Sequence, residues 1–260
     1  MDSLSLADRM KQYEQATRHT LPARTYTILR VDGRAFHSFL RHADRPFDGA
    51  VMAAMDATAA ALCADISGAV FAYTQSDEIS VLITDFGSAG TQQWFGGVVQ
   101  KIASVSASVA TMAFNAEYGH HYDGATATFD ARVFTLPTPT EVANYFVWRQ
   151  RDAIRNAISM AARAEFSHRE LHQVSTATAR ALLLERGIHF DTYPAGARHG
   201  RLCTRTTREE DVTYTDRRTG TERTIRAARS RWETGPAPLF TADPDGPLIE
   251  SIPAPGPRAA

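Results

Sequence analysis

Apolar, β-branched runs that stop at acidic residues constrain this chain more than any other feature. Thr25 to Val31 reads as a strand ending at Asp32-Gly33, and Ala69 to Thr74 and Ile79 to Thr84 read as a hairpin around Gln75-Ser76-Asp77-Glu78. Between them, Pro46 suits a first helical turn, and Val51, Met55, Ala59, Leu62 and Cys63 recur at helical spacing up to about Ile66. A second helix is predicted over Thr91 to Asn115, with Val98, Ile102, Val105, Val109 and Met112 as its apolar stripe. Thr126 to Leu136 reads as a fourth strand, stopped by Pro137 and Pro139.

The order β-α-β-β-α-β predicts an α+β fold of the ferredoxin-like kind, an antiparallel sheet with both helices on one face. Right-handed crossovers place the first and third strands side by side in its middle, running in opposite directions. The C-terminal end of one then lies beside the N-terminal end of the other, so Asp32 and the Asp77-Glu78 pair meet at one edge. Carboxylates converging beside a glycine make an oxygen-rich site suited to Mg²⁺ rather than to zinc or copper. Phosphoryl transfer needs that arrangement, because it leaves the protein chiefly the work of positioning groups and neutralising charge.

Flanking segments read less sharply. An amphipathic helix is predicted at about Leu4 to Arg18, a long one from Glu141 to about Phe166 carrying Trp148-Arg149-Gln150 and Asp152, and a weaker one from Thr176 to Gly187. Arg201 to Trp232 reads as a β-hairpin turning near Thr219-Gly220, and the Pro, Gly, Ala and Asp content after Gly235 predicts a mostly disordered tail. The expected organisation is a catalytic domain over 1–137, a C-terminal helical and β-hairpin extension over 138–235 that binds nucleic acid, and a tail over 236–260.

With a net charge of -1, the chain is not a protein that coats nucleic acid by bulk charge. Charge is local instead: from Arg198 to Arg231 there are ten Arg against five acids, so phosphate affinity is expected there. The bland alternative is a solvated Arg-rich surface. Cys63 and Cys203 make neither a disulfide framework nor a zinc cluster. The first residues lack the basic start and apolar run of a secretion signal, and no segment approaches the roughly 18 apolar residues needed to span a bilayer, so a cytoplasmic location is expected.

Four blocks in order, RVDGRAFHSF (Arg30 to Phe39), YTQSDEISVL (Tyr73 to Leu82), FDARVFTLP (Phe129 to Pro137) and YFVWRQRDA (Tyr145 to Ala153), resemble the tRNA-His guanylyltransferase family and the related tRNA 5′-end repair enzymes. The likeness runs over roughly residues 5 to 200. It implies a polymerase-like palm that extends RNA in the 3′-to-5′ direction. The family activates a tRNA 5′-monophosphate with ATP, lets the 3′-hydroxyl of an incoming GTP displace AMP, and then releases pyrophosphate. By the same resemblance, Asp32 and Asp77 are the carboxylates that bridge two Mg²⁺ ions, Gly33 is a backbone-carbonyl ligand, and Glu78 is a further catalytic acid. The backbone of Gly33, Arg34, Ala35, Phe36 and His37 resembles a loop that wraps a nucleotide triphosphate, with Ser76, Arg45, Asp48 and Lys101 as further nucleotide contacts. Arg132, Arg149, Gln150 and Asn156 resemble tRNA-binding or structural positions. ATP, GTP and tRNA are the expected substrates and partners, and a homo-oligomer, dimer or tetramer, is expected.

The likeness departs at Ile154-Arg155-Asn156-Ala157, where eukaryotic members carry His-Ile-Asn-Asn; only Asn156 matches. That leaves open whether G addition to tRNA-His or template-dependent repair of truncated tRNA is the activity. A palm-fold nucleotide cyclase and a noncatalytic tRNA-binding protein are the rivals from other classes. His168 and His172 have metal-ligand spacing but no third ligand, and His120-His121 are read as loop residues.

Overall fold

The computed structural model describes residues 4–119, 126–241 and 246–255; His120 and His121 lie outside them. After α1 (Leu6–Ala16) come β1 (Tyr26–Gly33), the short α2 (Phe36–Phe39), α3 (Gly49–Asp65), β2 (Ala69–Gln75) and β3 (Glu78–Ile83). They are followed by α4 (Val99–Tyr118), β4 (Phe129–Leu136), α5 (Pro139–Glu165), α6 (Thr176–Glu185) and α7 (Ala195–His199). Two long strands, β5 (Arg201–Thr215) and β6 (Glu222–Pro236), precede a last helical turn, α8 (Pro247–Glu250).

All the strands join one sheet in the order β4-β1-β3-β2-β5-β6, each pair antiparallel. The α+β class and the adjacency of the first and third strands stand as the sequence predicts, with Asp32 directly opposite Glu78. Side chains alternate between faces along each strand. Leu29, Val31, Ile79 and Val81 pack against Met55 and Leu62 of α3 and Ile102 and Phe114 of α4. Tyr26, Ile28, Tyr73 and Leu82 point the other way, against Val142, Tyr145 and Phe146 of α5. Alternation therefore puts Arg30 and Asp32 on the α5 side. The α5 helix opens with Pro139 in its first turn and Thr138 accepting the Glu141 amide at 3.2 Å, and its far half packs on α6 through Ile158, Ala161 and Leu183.

Three expectations need correction. The second helix starts at Val99 rather than Thr91, because Trp94–Gly97 forms a kinked turn with Phe95 and Gly96 at φ of 49° and 59°. Its buried stripe is Ile102, Ser106, Ala110, Phe114 and Tyr118, while Met112 is 68% exposed. Phe114 and Tyr118 decide that roll, since they stack on Phe36, Phe39 and Phe129 at the far end of the helix. Thirdly, the described residues after Gly235 are packed rather than disordered: Ala237, Phe240, Leu248 and Ile252 are buried against the α5 side of the sheet. The Tyr26 hydroxyl donates to the Pro253 carbonyl at 2.9 Å, and these few large apolar side chains offset the entropy that the composition suggested would prevail. No helix among the described residues is long and apolar enough to cross a membrane.

Candidate active site

The two acid-bearing turns face each other. The Gly33 amide donates to the Asp77 carbonyl at 3.0 Å, tying the end of β1 to the β2–β3 turn, and the Arg34 amide donates to Thr128 at 2.8 Å, tying it to β4. Gly33 is required by packing: a Cβ there would sit 2.3 Å from the Phe36 ring, which is buried among Phe39, Phe114 and Phe129. The sheet thus sets Asp32 between Glu78 on β3 and Asp130 on β4, each directly opposite it. Burial and the nearby Asp130 charge push the Asp32 carboxyl above its usual range, against the pull of Arg30, Arg132 and Arg149.

Asp77 follows Ser76, which occupies a left-handed conformation with φ of 48°. Burial first, and the Asp32 charge second, push its pKa up to about 6, opposed by hydrogen bonds from its own amide and from the Ser76 hydroxyl. A buried Asp77 carboxylate whose ionisation the Asp32 charge opposes is one that a cation would relieve. The oxygens of Asp32 and Asp77, with the Gly33 carbonyl, are hard donors that fit Mg²⁺, which is commonly held by one or two carboxylates plus substrate phosphates. No group of three or more His, Cys, Asp or Glu among the described residues is arranged to hold an ion, His168 and His172 included.

Glu78 has a different situation from the other two acids. It accepts from Arg149 Nε and Nη2 at 2.8 and 2.9 Å, and Arg30 Nε lies 3.9 Å away. The side chains of Glu78 and Arg149 are each only 7% exposed, and Asp152 takes a further bond from Arg149 at 2.8 Å. Burial raises the Glu78 carboxyl pKa and the two arginines oppose that shift. Both of its oxygens accept from Arg149, which ties the start of β3 to α5.

A cavity of about 410 Å³ opens beside Asp77. It is lined by Phe36, His37, Arg45, Asp48 and Ser76 from the expected nucleotide set, and by Asn156. Asp48 also caps α3, accepting from the Ala50 and Val51 amides at 2.8 and 3.0 Å and from the Asp44 amide at 2.9 Å. Gln150 is buried and structural, donating to Pro238 and accepting from Phe240 at 2.8 Å each, which pins the C-terminal segment. Arg34 and Ala35 are exposed beside α2, and Arg132 lies exposed on β4.

Lys101 is not brought to this site. It sits in the first turns of α4, its ammonium 4.6 Å from the Phe95 ring centre. That end of α4 meets Leu21 and Thr27, at the start of β1, whereas Thr111 and Asn115 at the other end bond Phe129 and Ala127 beside the carboxylates. A helix rises about 1.5 Å per residue, which puts Lys101 on the order of 15 Å from the acidic edge.

The sequence reading missed Gln75, Met52, Met160, Arg163 and Arg201, all of which line the cavity. For α5 a signal existed: Asn156, Met160 and Arg163 fall at i, i+4 and i+7, one face of a helix. Arg201 gave none, since it is its bond to Asp56, 145 residues away in sequence, that sets the side chain against α3.

The sequence profile described as tRNA(His) guanylyltransferase matches residues 7–137, half of the chain. The chain belongs to this family. It is 30% identical over 148 residues to the tRNA(His) guanylyltransferase of Schizosaccharomyces pombe, covering 55% of this chain and 54% of the relative, so it spans about half the length of that curated relative. Among solved structures, a bacterial tRNA(His) guanylyltransferase-like protein in complex with ATP superposes with a TM-score of 0.80 at 38% identity, covering 93% of this chain and 96% of that one. A bacterial protein of the same description in complex with GTP gives 0.74 at 36% identity, covering 95% and 99%.

Proposed function

We propose that the protein is a nucleotidyltransferase that acts on the 5′ end of tRNA, adding GMP in the 3′-to-5′ direction after ATP activates the 5′-phosphate. The observation that carries this is Asp32 and Asp77 brought to one sheet edge, where the Gly33 amide bonds the Asp77 carbonyl, with Asp77 lining a cavity of about 410 Å³. That volume suits a nucleotide, and the family's bacterial relatives have been solved with ATP and with GTP. We read β4-β1-β3-β2, backed by α3 and α4, as a polymerase-like palm.

In this reading Asp32, Asp77 and the Gly33 carbonyl hold two Mg²⁺, which when bound would neutralise phosphate charge. The Ser76 hydroxyl, the Arg45 guanidinium and the amides of Phe36 and His37, which start α2 without intrahelical acceptors, bind and orient the triphosphate. Glu78, held by Arg149 of α5, fixes the start of β3, and with it the Asp77 turn, beside Asp32 of β1. tRNA is the RNA partner, and the two-stranded ribbon of β5 and β6 supports that reading. Residues opposite one another share a face, so Arg208, Arg223, Arg229 and Arg231, with Glu210 and Glu233, lie on the face of Leu202. Leu202 packs on the α5 side of the sheet, where Asp32 also points. The opposite face carries Arg205 and Arg226 against Glu209, Asp211 and Glu222. Homo-oligomerisation as a dimer or tetramer is supported by α1, whose Leu6, Met10 and Tyr13 are all exposed.

A gel assay with 5′-monophosphorylated tRNA(His), intact and lacking its first nucleotide, plus ATP and labelled GTP, tests the reading. Label incorporation that requires ATP supports it, and cyclic nucleotide formed from ATP or GTP alone would replace it with a cyclase. The repair activity is favoured by one observation: at the departure Ile154-Arg155-Asn156-Ala157, Ile154 serves packing, Asn156 and Ala157 line the cavity, and Asn156 is the one polar side chain that this block brings to it. Selection would then come from base pairing, with faster GTP addition opposite cytosine than opposite adenine at the discriminator position and template-dependent filling of the shortened tRNA.

A further inference from the structure

Two substrates must reach the carboxylates, and the cavity beside Asp77 accounts for one of them. On the other side of Asp32 the sheet lies open. Asp130 and Arg132 of β4 stand directly opposite Asp32 and Arg30, all on the α5 side, and the side chains of Asp130 and Arg132 are 60% and 55% exposed. Two arginines placed opposite each other on neighbouring strands repel. Among the described residues the ion pair that each makes is long, at 3.9 Å, and the buried Arg30 Nε makes no hydrogen bond. Donors left this way suit an anion.

The flank of α5 forms the other wall of this strip. Tyr145 meets Phe134 of β4 with ring centres 5.6 Å apart, and Trp148, three residues further along, is 51% exposed with its ring centre 5.8 Å from that of Tyr145. The Arg149 guanidinium lies 4.4 Å from the Trp148 ring centre, and Glu78 and Asp152 hold that guanidinium in place. The indole is thus braced on one face and along one edge while half of its surface stays open. Fixed aromatic faces beside cationic side chains are what unpaired nucleobases stack on.

We infer that Trp148 is the stacking platform for the terminal nucleobase of the RNA substrate, which enters along the β4 edge opposite the nucleotide cavity. This rests on the reading of the protein as an RNA 5′-end nucleotidyltransferase. It deepens that reading by giving the RNA end its own side of the carboxylates.

The test uses the full chain and a 5′-monophosphorylated acceptor-stem hairpin with 2-aminopurine as its first nucleotide, whose fluorescence falls when the base stacks. Wild type is expected to quench the probe. Trp148→Ala should bind the hairpin about 5- to 100-fold more weakly, leave the bound probe bright, raise KM for RNA more than it lowers kcat, and bind ATP as wild type does. Trp148→Phe, which keeps a π-face, should recover most of the affinity and quenching. Equal quenching and equal RNA affinity in Trp148→Ala overturns the inference, as does a wild-type protein that leaves the bound probe bright. Wild type that transfers GMP to phosphorylated RNA while Trp148→Ala shows an unchanged RNA KM sinks the Trp148 assignment alone; wild type that transfers none sinks the parent reading.

Discussion

The acidic edge and the β5–β6 ribbon both hold arginine–carboxylate pairs at the same distance, yet the two regions use them for different ends. Arg149–Glu78 and Arg226–Glu209 each close to 2.8 Å, but the first pair's side chains are 7% exposed and the second's are 73% and 63%. Removing one partner of a buried pair leaves an uncompensated charge and costs about 3–5 kcal/mol, whereas an exposed pair is worth about 0–1 kcal/mol. Geometry alone would rank them equal; depth separates a pair that fixes the site from pairs that keep a surface soluble and charged. The first region should fail abruptly when altered, and the second gradually.

The largest effect is expected where the carboxylates act. Asp32→Ala or Asp77→Ala should lower both AMP transfer and GMP addition by about a thousandfold or more, because each loses charge neutralisation worth several kcal/mol, with circular dichroism unchanged. Near-normal rates in a folded Asp77→Ala protein would remove the metal assignment.

Next comes the brace. Arg149→Met should destabilise the fold by about 3 kcal/mol in urea titration, since Glu78 is left buried with Arg30 no nearer than 3.9 Å, and adding Glu78→Gln should recover part of that loss. A cost below about 1 kcal/mol would show that the buried pair behaves like those of the ribbon.

Acidity tests the same edge more gently. The pKa of Asp77, about 6, lies above its ordinary value of 3.8, so the native state holds a proton more tightly than the unfolded chain does. Without a divalent cation, the penalty for ionising Asp77 is present above about pH 6 and disappears as pH falls toward its ordinary value, so this group's contribution to stability rises over that window. Metal competes with the same proton, so the Mg²⁺ concentration for half-maximal activity should rise about tenfold per pH unit below 6. A Mg²⁺ requirement that stays flat from pH 7 to 5 would separate Asp77 from the metal.

The smallest effects belong to the ribbon. Any one of Arg208, Arg229 or Arg231 changed to Gln should shift stability by no more than about 0.5 kcal/mol. All three together should weaken tRNA binding and flatten its dependence on salt while sparing ATP affinity. Changing Arg205 and Arg226, on the face that Glu209, Asp211 and Glu222 share, should do less. An unchanged salt slope in the triple variant would show the ribbon to be only a solvated surface.

Local sequence by itself determined where the strands end and which residues stand at those ends. Alternating apolar runs and the β-α-β-β-α-β order were enough to bring Asp32 next to the Asp77-Glu78 turn, because strand pairing follows from period and handedness. What only the tertiary structure decided is which polar groups are free to act. Glu78 and Arg149 are 71 residues apart in sequence, and nothing local in either announces that they neutralise one another. Gln150 and Phe240 are 90 apart, and their bond helps turn a stretch with the composition of a tail into part of the core. Lys101 carries the right charge for a triphosphate, but the direction of α4 places it at the far end of the sheet from the carboxylates. Period and propensity are properties of neighbours along the chain. Burial and the partner that satisfies a buried charge depend on residues that meet only once the sheet and its covering helices have packed.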